Sequence, residues 1–331
     1  MSWFEETMGF EERDLAYVQS NIRIAGSEMI SKVNGKSYRW GKLEVPNLGT
    51  LRARVSEFVD QGQPTTIQEF VGDVGDLHRN PANANAFFQV ASQFNLLEMI
   101  GPSATPEQGV GRYEFDKTQG PACAIACGVG TIYRNYFVPL GDQYGQTANR
   151  QIDCLYDLGL KLGNEGGNLW RMQNGYALAT RLGLQRISHS LSSSDLRTRK
   201  DLEATLRIGL QLNTQVTLHN SPSDQYVNQA YCSALPVAYS QHDSHLWKDF
   251  AKLILDASYE ATFAAALRNK MQSGNNRLFL TLLGGGAFGN ETDWIVSAIA
   301  RSLSLYHNAG LEVYIVSYRY PNRQLAHLWS K

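Results

Sequence analysis

Apolar positions along the chain alternate between two spacings, and the changes mark out its elements. In the C-terminal third, RIGLQLNTQVTL and QAYCSALPVAY read as strands. After Trp247, Phe250, Leu253, Ile254, Ala257 and Ala261 recur at helical spacing, which predicts a helix through LWKDFAKLILDASYEATFAAALRNKM with one apolar face. A buried strand starting at Leu278 follows, then a glycine loop, the helix TDWIVSAIARSLSLYHNAG and the strand EVYIVSY. Strands alternating with helices predict an α/β sandwich.

The pattern is less regular upstream. A helix is expected from Glu11 to Ser20, and SYRWGKLEVPNLGTLRARVSEFV predicts a strand, a turn at Pro46 and a helix. Phe87 to Ala91 reads as a buried strand. Asn95 to Gly120 is rich in Gly, Pro and charge and reads as a long loop, of the kind that is usually functional or disordered. GPACAIACGVGTIYRNYF places small residues before aromatics, which suits a helix packed closely on a sheet. QTANRQIDCLYDLGLKL carries a helical pattern, GNEGGNLWRMQNGYALAT is turn-rich around an aromatic core, and SHSLSSSDLRTRKD reads as a polar connector. The expected organisation is an N-terminal extension, residues 1–80, packed on a core of residues 81–331 that carries an insertion at about 138–205. No repeat at a period of about 20–50 residues is visible.

Composition narrows the function classes. With 331 residues, 43% of them hydrophobic, the chain can form one large α/β domain or two smaller ones. A formal net charge of -1 supplies no global field for nucleic acid or an anionic membrane, so neither is an expected partner. No apolar run is long enough to span a bilayer. The N-terminal stretch MSWFEETMGFEERDL is acidic and lacks the features of a secretory signal, so a cytoplasmic setting is expected, or a host cytosol for a delivered effector. Cys123, Cys127, Cys154 and Cys232 are too few and too embedded in apolar sequence for a disulfide scaffold. Cys123 and Cys127 at i, i+4, with His242 and His245 at i, i+3, supply four formal zinc ligands. The cysteines sit among Ala and Gly as packing residues do, so no metal and no cofactor is expected.

The strongest chemical signal is LFLTLLGGGAFGNETDWIVSAIARSL. Gly284, Gly285, Gly286 and Gly289 let backbone N–H groups converge ahead of a helix N-terminus, a device for holding phosphate. Gly284, Gly286 and Gly289 formally satisfy GxGxxG. A Rossmann unit also needs an acidic residue at the end of the next strand, and VYIVSYRY ends in Ser317 and Tyr318. No Lys-Ser or Lys-Thr follows the glycines, which excludes a Walker loop. A purely structural tight turn is the plain alternative.

The order of helix, strand, GGGAFGN loop, helix and strand resembles the C-terminal half of macrodomains, and the loop is similar to that of poly(ADP-ribose) glycohydrolases. FFQVASQFN followed by TQGPACAIACG resembles the first macrodomain binding element. QFNLLEMIGPSATPEQGV, Tyr113-x-x-Asp116, TQGPACAIACG, TIYRNYF and YCSALPVAYS resemble the MavL-type ADP-ribosylhydrolases, which remove ADP-ribose from modified arginine. The resemblance covers much of 85–137 and 226–320. It implies a three-layer α/β/α sandwich with a mixed sheet, and ADP-ribose and ADP-ribosylated protein as partners. It also implies ligand contacts from Asn95, Gln119 and Gly120, and from the loop Gly284, Gly285, Gly286, Ala287, Phe288, Gly289 and Asn290, with Phe288 against the distal ribose.

Hydrolysis at the ribose C1″ passes through an oxocarbenium-like state, so carboxylates are needed beside these loops. Glu98, Asp116 and Asp243 are the candidates, each weighed against an exposed loop charge. Glu107 and Glu114 are weaker. Asn290 with Asp293 reads as a helix N-cap, and Asp249 and Asp256 as a solvated helix face. Trp170 and the run Asn174 to Ala177 read as a satellite hydrophobic cluster before a ligand contact. The expected activity is metal-independent removal of ADP-ribose from a protein side chain, arginine-linked, set against a non-turning reader module and a glycohydrolase acting on polymer or a free derivative. The paired glutamates that mark polymer glycohydrolases are absent, and TPEQGVGRYEFDKTQGPACA stands in their place.

Overall fold

The computed structural model describes residues 1–325 and 328. Helix α1 (Trp3–Met8) is closed by a Ser2/Glu5 capping box, and α2 (Leu15–Asn21) is capped by Asp14, a turn later than its predicted start. Strands β1 (Ile22–Ala25), β2 (Glu28–Ser31) and β3 (Ser37–Arg39) form a small antiparallel sheet. Then come β4 (Lys42–Glu44), the Pro46 turn, α3 (Leu48–Val55), β5 (Thr66–Val71), α4 (Val74–Arg79) and β6 (Phe87–Ala91). The expected single helix after residue 119 breaks at Cys127 into α5 (Gln119–Ala126) and α6 (Gly128–Tyr136).

The insertion holds a short hairpin, β7 (Pro139–Leu140) and β8 (Gln143–Tyr144), and then α7 (Tyr156–Leu162). A second hairpin, β9 (Trp170–Gln173) and β10 (Tyr176–Ala179), turns at Asn174-Gly175. The expected polar connector is instead two helices, α8 (Arg181–Ser192) and α9 (Leu196–Glu203), capped by Thr180 and Asp195. Leu184, Ile187 and Leu191 are buried on α8 at helical spacing beneath that serine-rich surface. The chain continues through β11 (Gly209–Gln215), β12 (Tyr226–Cys232), α10 (Ser244–Ser273), β13 (Arg277–Leu280), α11 (Thr292–Leu305) and β14 (Glu312–Ser317).

The central sheet has seven strands in the order β4-β11-β12-β6-β13-β14-β5. From β12 to β5 all neighbours are parallel, whereas β11 pairs antiparallel with both β12 and β4, so the sheet is mixed. One face carries α10 with α3, α8, α9 and α11 around it; the other carries α5 and α6, with α1, α2 and α4 outside them. This is a three-layer α/β/α sandwich. The boundary at residue 80 does not separate an appendage, because β4 and β5 are the two edge strands of the central sheet.

Helix α10 is buried on nearly all sides between the sheet and its neighbours, not on the one face its apolar spacing predicts. Asp256 and Glu260 on it are therefore buried too. Glu260 meets Arg52 at 2.5 Å and Arg301 at 2.8 Å, and Asp256 meets Arg199 at 3.3 Å, which corrects the solvated-face reading of Asp256. Asp249 accepts a hydrogen bond from Ser188 of the insertion.

Candidate functional site

Strands β6 and β13 are parallel neighbours paired only at Phe87 and Phe88. The chain leaves β6 into α5 on one face and leaves β13 into α11 on the other, so the two strand ends diverge. Gln119 fills the opened ladder: its Nε2 donates to Gln89 O at 2.8 Å, and its Oε1 accepts from Ala91 N at 3.1 Å. In an open parallel sheet, the crevice at such a divergence of carboxyl ends is where ligands bind. A cleft of about 210 Å³ lies there. Ala91, Ser92, Gln93 and Gly120 form one wall, and Thr281 to Gly284 with Gly286, Ala287 and Phe288 form the other.

The glycine loop borders this cleft. Gly284 and Gly289 have φ of +76° and +69°, and a Cβ would lie 2.4 Å from Ala234 Cβ and 2.8 Å from Ala238 Cβ respectively. Gly286 is different: a Cβ there would meet nothing within 4 Å, so its lack of a side chain leaves the cleft wall open. Among the described residues, the N–H groups of Gly284, Gly286, Ala287 and Phe288 donate to no protein acceptor. Free donors on a loop ahead of the α11 N-terminus suit an anion. Gly285, Gly289 and Asn290 do not line the cleft. Asn290 is buried and its amide donates to Leu235 O at 2.8 Å, bracing the loop against the end of β12. It is not the N-cap of α11; Glu291 holds that position, without a side-chain capping bond.

The carboxylates come from the 92–118 segment, which is tightly held despite its loop-like composition. Gln93 Oε1 accepts from Met99 N at 2.6 Å, Asn95 Oδ1 accepts from Leu97 N at 3.1 Å, and the Glu98 N–H donates to the Tyr113 hydroxyl at 3.0 Å. The N-terminal extension clamps its far end, where Glu12 accepts from Val110 N, Gly111 N and the Tyr136 hydroxyl. Asn95 is fully buried and lies under the loop, outside the cleft lining. Its Nδ2 donates to Gln151.

Glu98 lines the cleft with only 5% of its surface exposed, and its Oε1 has no hydrogen-bond partner. A Cβ on Gly120 would lie 2.5 Å from Glu98 Oε2 and 2.1 Å from Ala91 O, so this carboxyl and the start of α5 fit together only with glycine there. Burial pushes the Glu98 carboxyl well above the usual carboxylate range; the Arg134 guanidinium pulls it back and Asp116 adds to the push. Asp116 is half-buried, lines the same cleft and accepts from Thr118 N at 2.9 Å. Asp243 is exposed at the N-cap of α10 and does not line the cleft. Glu107 accepts from Ala148 N and Glu114 from Trp3 N, so both tie segments together.

Aromatic residues complete the cleft. Tyr176, Tyr239 and Phe288 lie 5.1 to 5.6 Å apart, centroid to centroid, and all three line it. Tyr176 comes from the insertion, and its hydroxyl donates to Met99 O at 2.6 Å, beside Glu98. The Asn174-Gly175 dipeptide was its legible signal, since that pair marks a tight hairpin. Trp170, the other aromatic of that stretch, packs in the core against Phe250. Cys123 accepts from Gln119 Nε2 and is buried with Cys127. Among the described residues, no three His, Cys, Asp or Glu side chains converge as a metal site. No helix among them is long and apolar enough to cross a membrane.

No family model matches the chain, and no curated protein matches it. Solved structures do. A variant of poly(ADP-ribose) glycohydrolase from Deinococcus radiodurans in complex with ADP-ribose is 12% identical, over 97% of this chain and 96% of that one, with a TM-score of 0.46. The enzyme from Thermomonospora curvata is 10% identical, over 95% of this chain and 94% of that one, with a TM-score of 0.40. The latter bound to the inhibitor ADP-HPD has the same identity and score, over 95% of this chain and 96% of that one.

Proposed function

We propose that this cleft binds ADP-ribose and hydrolyses its bond to a protein side chain, without a metal. The observation that carries the reading is Glu98, a buried carboxyl with an unpartnered oxygen, placed across one cleft from a loop of free N–H donors. A diphosphate fits the donors of Gly284, Gly286, Ala287 and Phe288, and the ribose ring fits the aromatic wall of Tyr176, Tyr239 and Phe288. Glu98, kept neutral by burial, donates a proton to the departing nitrogen as its bond to C1″ breaks. Asp116 stabilises the oxocarbenium-like centre and takes the proton of the attacking water, whose hydroxyl forms the new bond to C1″. Proton donation matters most for a guanidine, a poor leaving group unless protonated. The arginine linkage itself rests on the resemblance of the 93–136 segment to the MavL-type enzymes. The four cysteines are free and buried, which suits a cytosolic setting.

The test is incubation with arginine-ADP-ribosylated protein. Wild type should release ADP-ribose, and Glu98→Gln should lower kcat by about 10²–10⁴-fold with little change in the Kd for ADP-ribose. Unchanged substrate with binding intact would make the site a reader, and full activity in Glu98→Gln would remove Glu98 from its role.

A further inference from the structure

Arg134 on α6 is fully buried, yet among the described residues no carboxylate lies within 4.0 Å of its guanidinium. The half-buried arginines Arg52, Arg199 and Arg301, by contrast, each meet carboxylates. An unpaired charge inside a protein is costly, so the fold must hold this one with neutral groups. Nε donates to Leu96 O at 3.0 Å, Nη1 to Gln211 Oε1 at 3.0 Å and Nη2 to Thr131 Oγ1 at 2.9 Å, and the guanidinium carbon lies 3.5 Å over the ring of Tyr231. Leu96, whose carbonyl it takes, has φ of +65°, a conformation that a branched side chain rarely adopts. Two residues later the chain presents Glu98 to the cleft.

We propose that Arg134 is the positioning residue of Glu98: it fixes the strained Leu96 turn from behind and sets a cation within electrostatic reach of the cleft carboxyl. Around Glu98, Tyr113, Cys123, Tyr176 and Tyr231 are all held neutral by burial, from the loop itself, α5, β10 and β12. Arg112 is exposed on the solvent side of the loop. The charges that act on the carboxyl are Arg134 and, in opposition, Asp116. Arg134 has no surface through which to reach a ligand, so its influence on the cleft passes through the Glu98 loop.

This inference rests on the proposed function in treating the cleft as a site and, for the kcat readout alone, as a hydrolytic one. Its test is a titration of the Glu98 carboxyl by infrared difference spectroscopy on the full-length protein, with the band assigned by its loss in Glu98→Gln. The titration itself uses no substrate, so its failure is distinct from a failure to cleave ADP-ribosylated protein. Arg134→Gln should raise the Glu98 midpoint by about one pH unit or more. Arg134→Lys should leave the midpoint near wild type, yet lower kcat at least about tenfold at unchanged KM, because an ammonium cannot reproduce the fork that holds Leu96 O and Gln211 together. An unmoved midpoint in Arg134→Gln would overturn the proposal. If that variant does not fold, Arg134→Lys still decides: full kcat, or a midpoint moved upward, contradicts it.

Discussion

Burial pushes the Glu98 carboxyl well above the usual carboxylate range, at a cost in stability. Below about pH 4.5 its carboxyl is protonated in the folded and unfolded chain alike. As pH rises, the unfolded chain releases that proton while the buried group keeps it, so stability falls. Glu98→Gln should therefore melt higher than wild type at pH 7, by about 2 °C or more, with the gap closing toward pH 4. Equal melting temperatures at pH 7 would mean that the carboxyl is not strained by its burial. His78 acts on the acid side. Its ring is fully buried, stacked on Phe88, bonded to Val74 O and beside the Gln229 amide, and burial lowers its pKa from 6.5 to about 4. The neutral ring stabilises the fold above pH 6.5, and that contribution, roughly 3 kcal/mol, is lost as pH falls toward 4. Denaturant titrations across this window should show His78→Gln losing less stability than wild type as pH falls.

An element outside the central strand-and-helix frame helps to hold the Glu98 loop. The insertion does so through the β9–β10 hairpin: Phe94 N donates to Gly175 O, Gln173 and Asn174 donate to Pro102 O, and Tyr176 donates to Met99 O. Gly175 has φ of +79°, and a Cβ there would lie 2.6 Å from both Asn95 Oδ1 and Gln93 Cβ. Gly175→Ala must strain the turn and push the hairpin off the loop. We expect a loss of at least about 1 kcal/mol of stability and a fall in kcat of about 10²-fold, as a displacement of about 1 Å at a reacting group costs. Retained kcat in a folded variant would show that the insertion does not position the loop. Such docking is not legible in the sequence. Asn174-Gly175 announces a hairpin, but nothing in the local pattern says that its Tyr176 completes a cleft whose walls come from distant parts of the chain, Ala91 to Gln93 and Thr281 to Phe288.

For the molecule as a whole, the alternating strands and helices of the C-terminal third were readable because each element buries a face of regular spacing. The edge strands β4 and β5 were less so, since each is short or half-exposed and gains its place only by pairing with β11 and β14. The same limit divides the carboxylates: Glu98, Asp116 and Asp243 look alike in the sequence, and only the folded cleft separates the first two from the third. The glycine loop was legible because Gly284 and Gly289 serve backbone conformations that few other residues adopt. The central claim, that these parts form one ADP-ribose site, is tested most directly by thermal melting of the full-length protein with ADP-ribose. At 100-fold over Kd, binding should add about 2.7 kcal/mol of apparent stability. No shift at millimolar ADP-ribose, in a protein that otherwise melts cooperatively, would contradict the account.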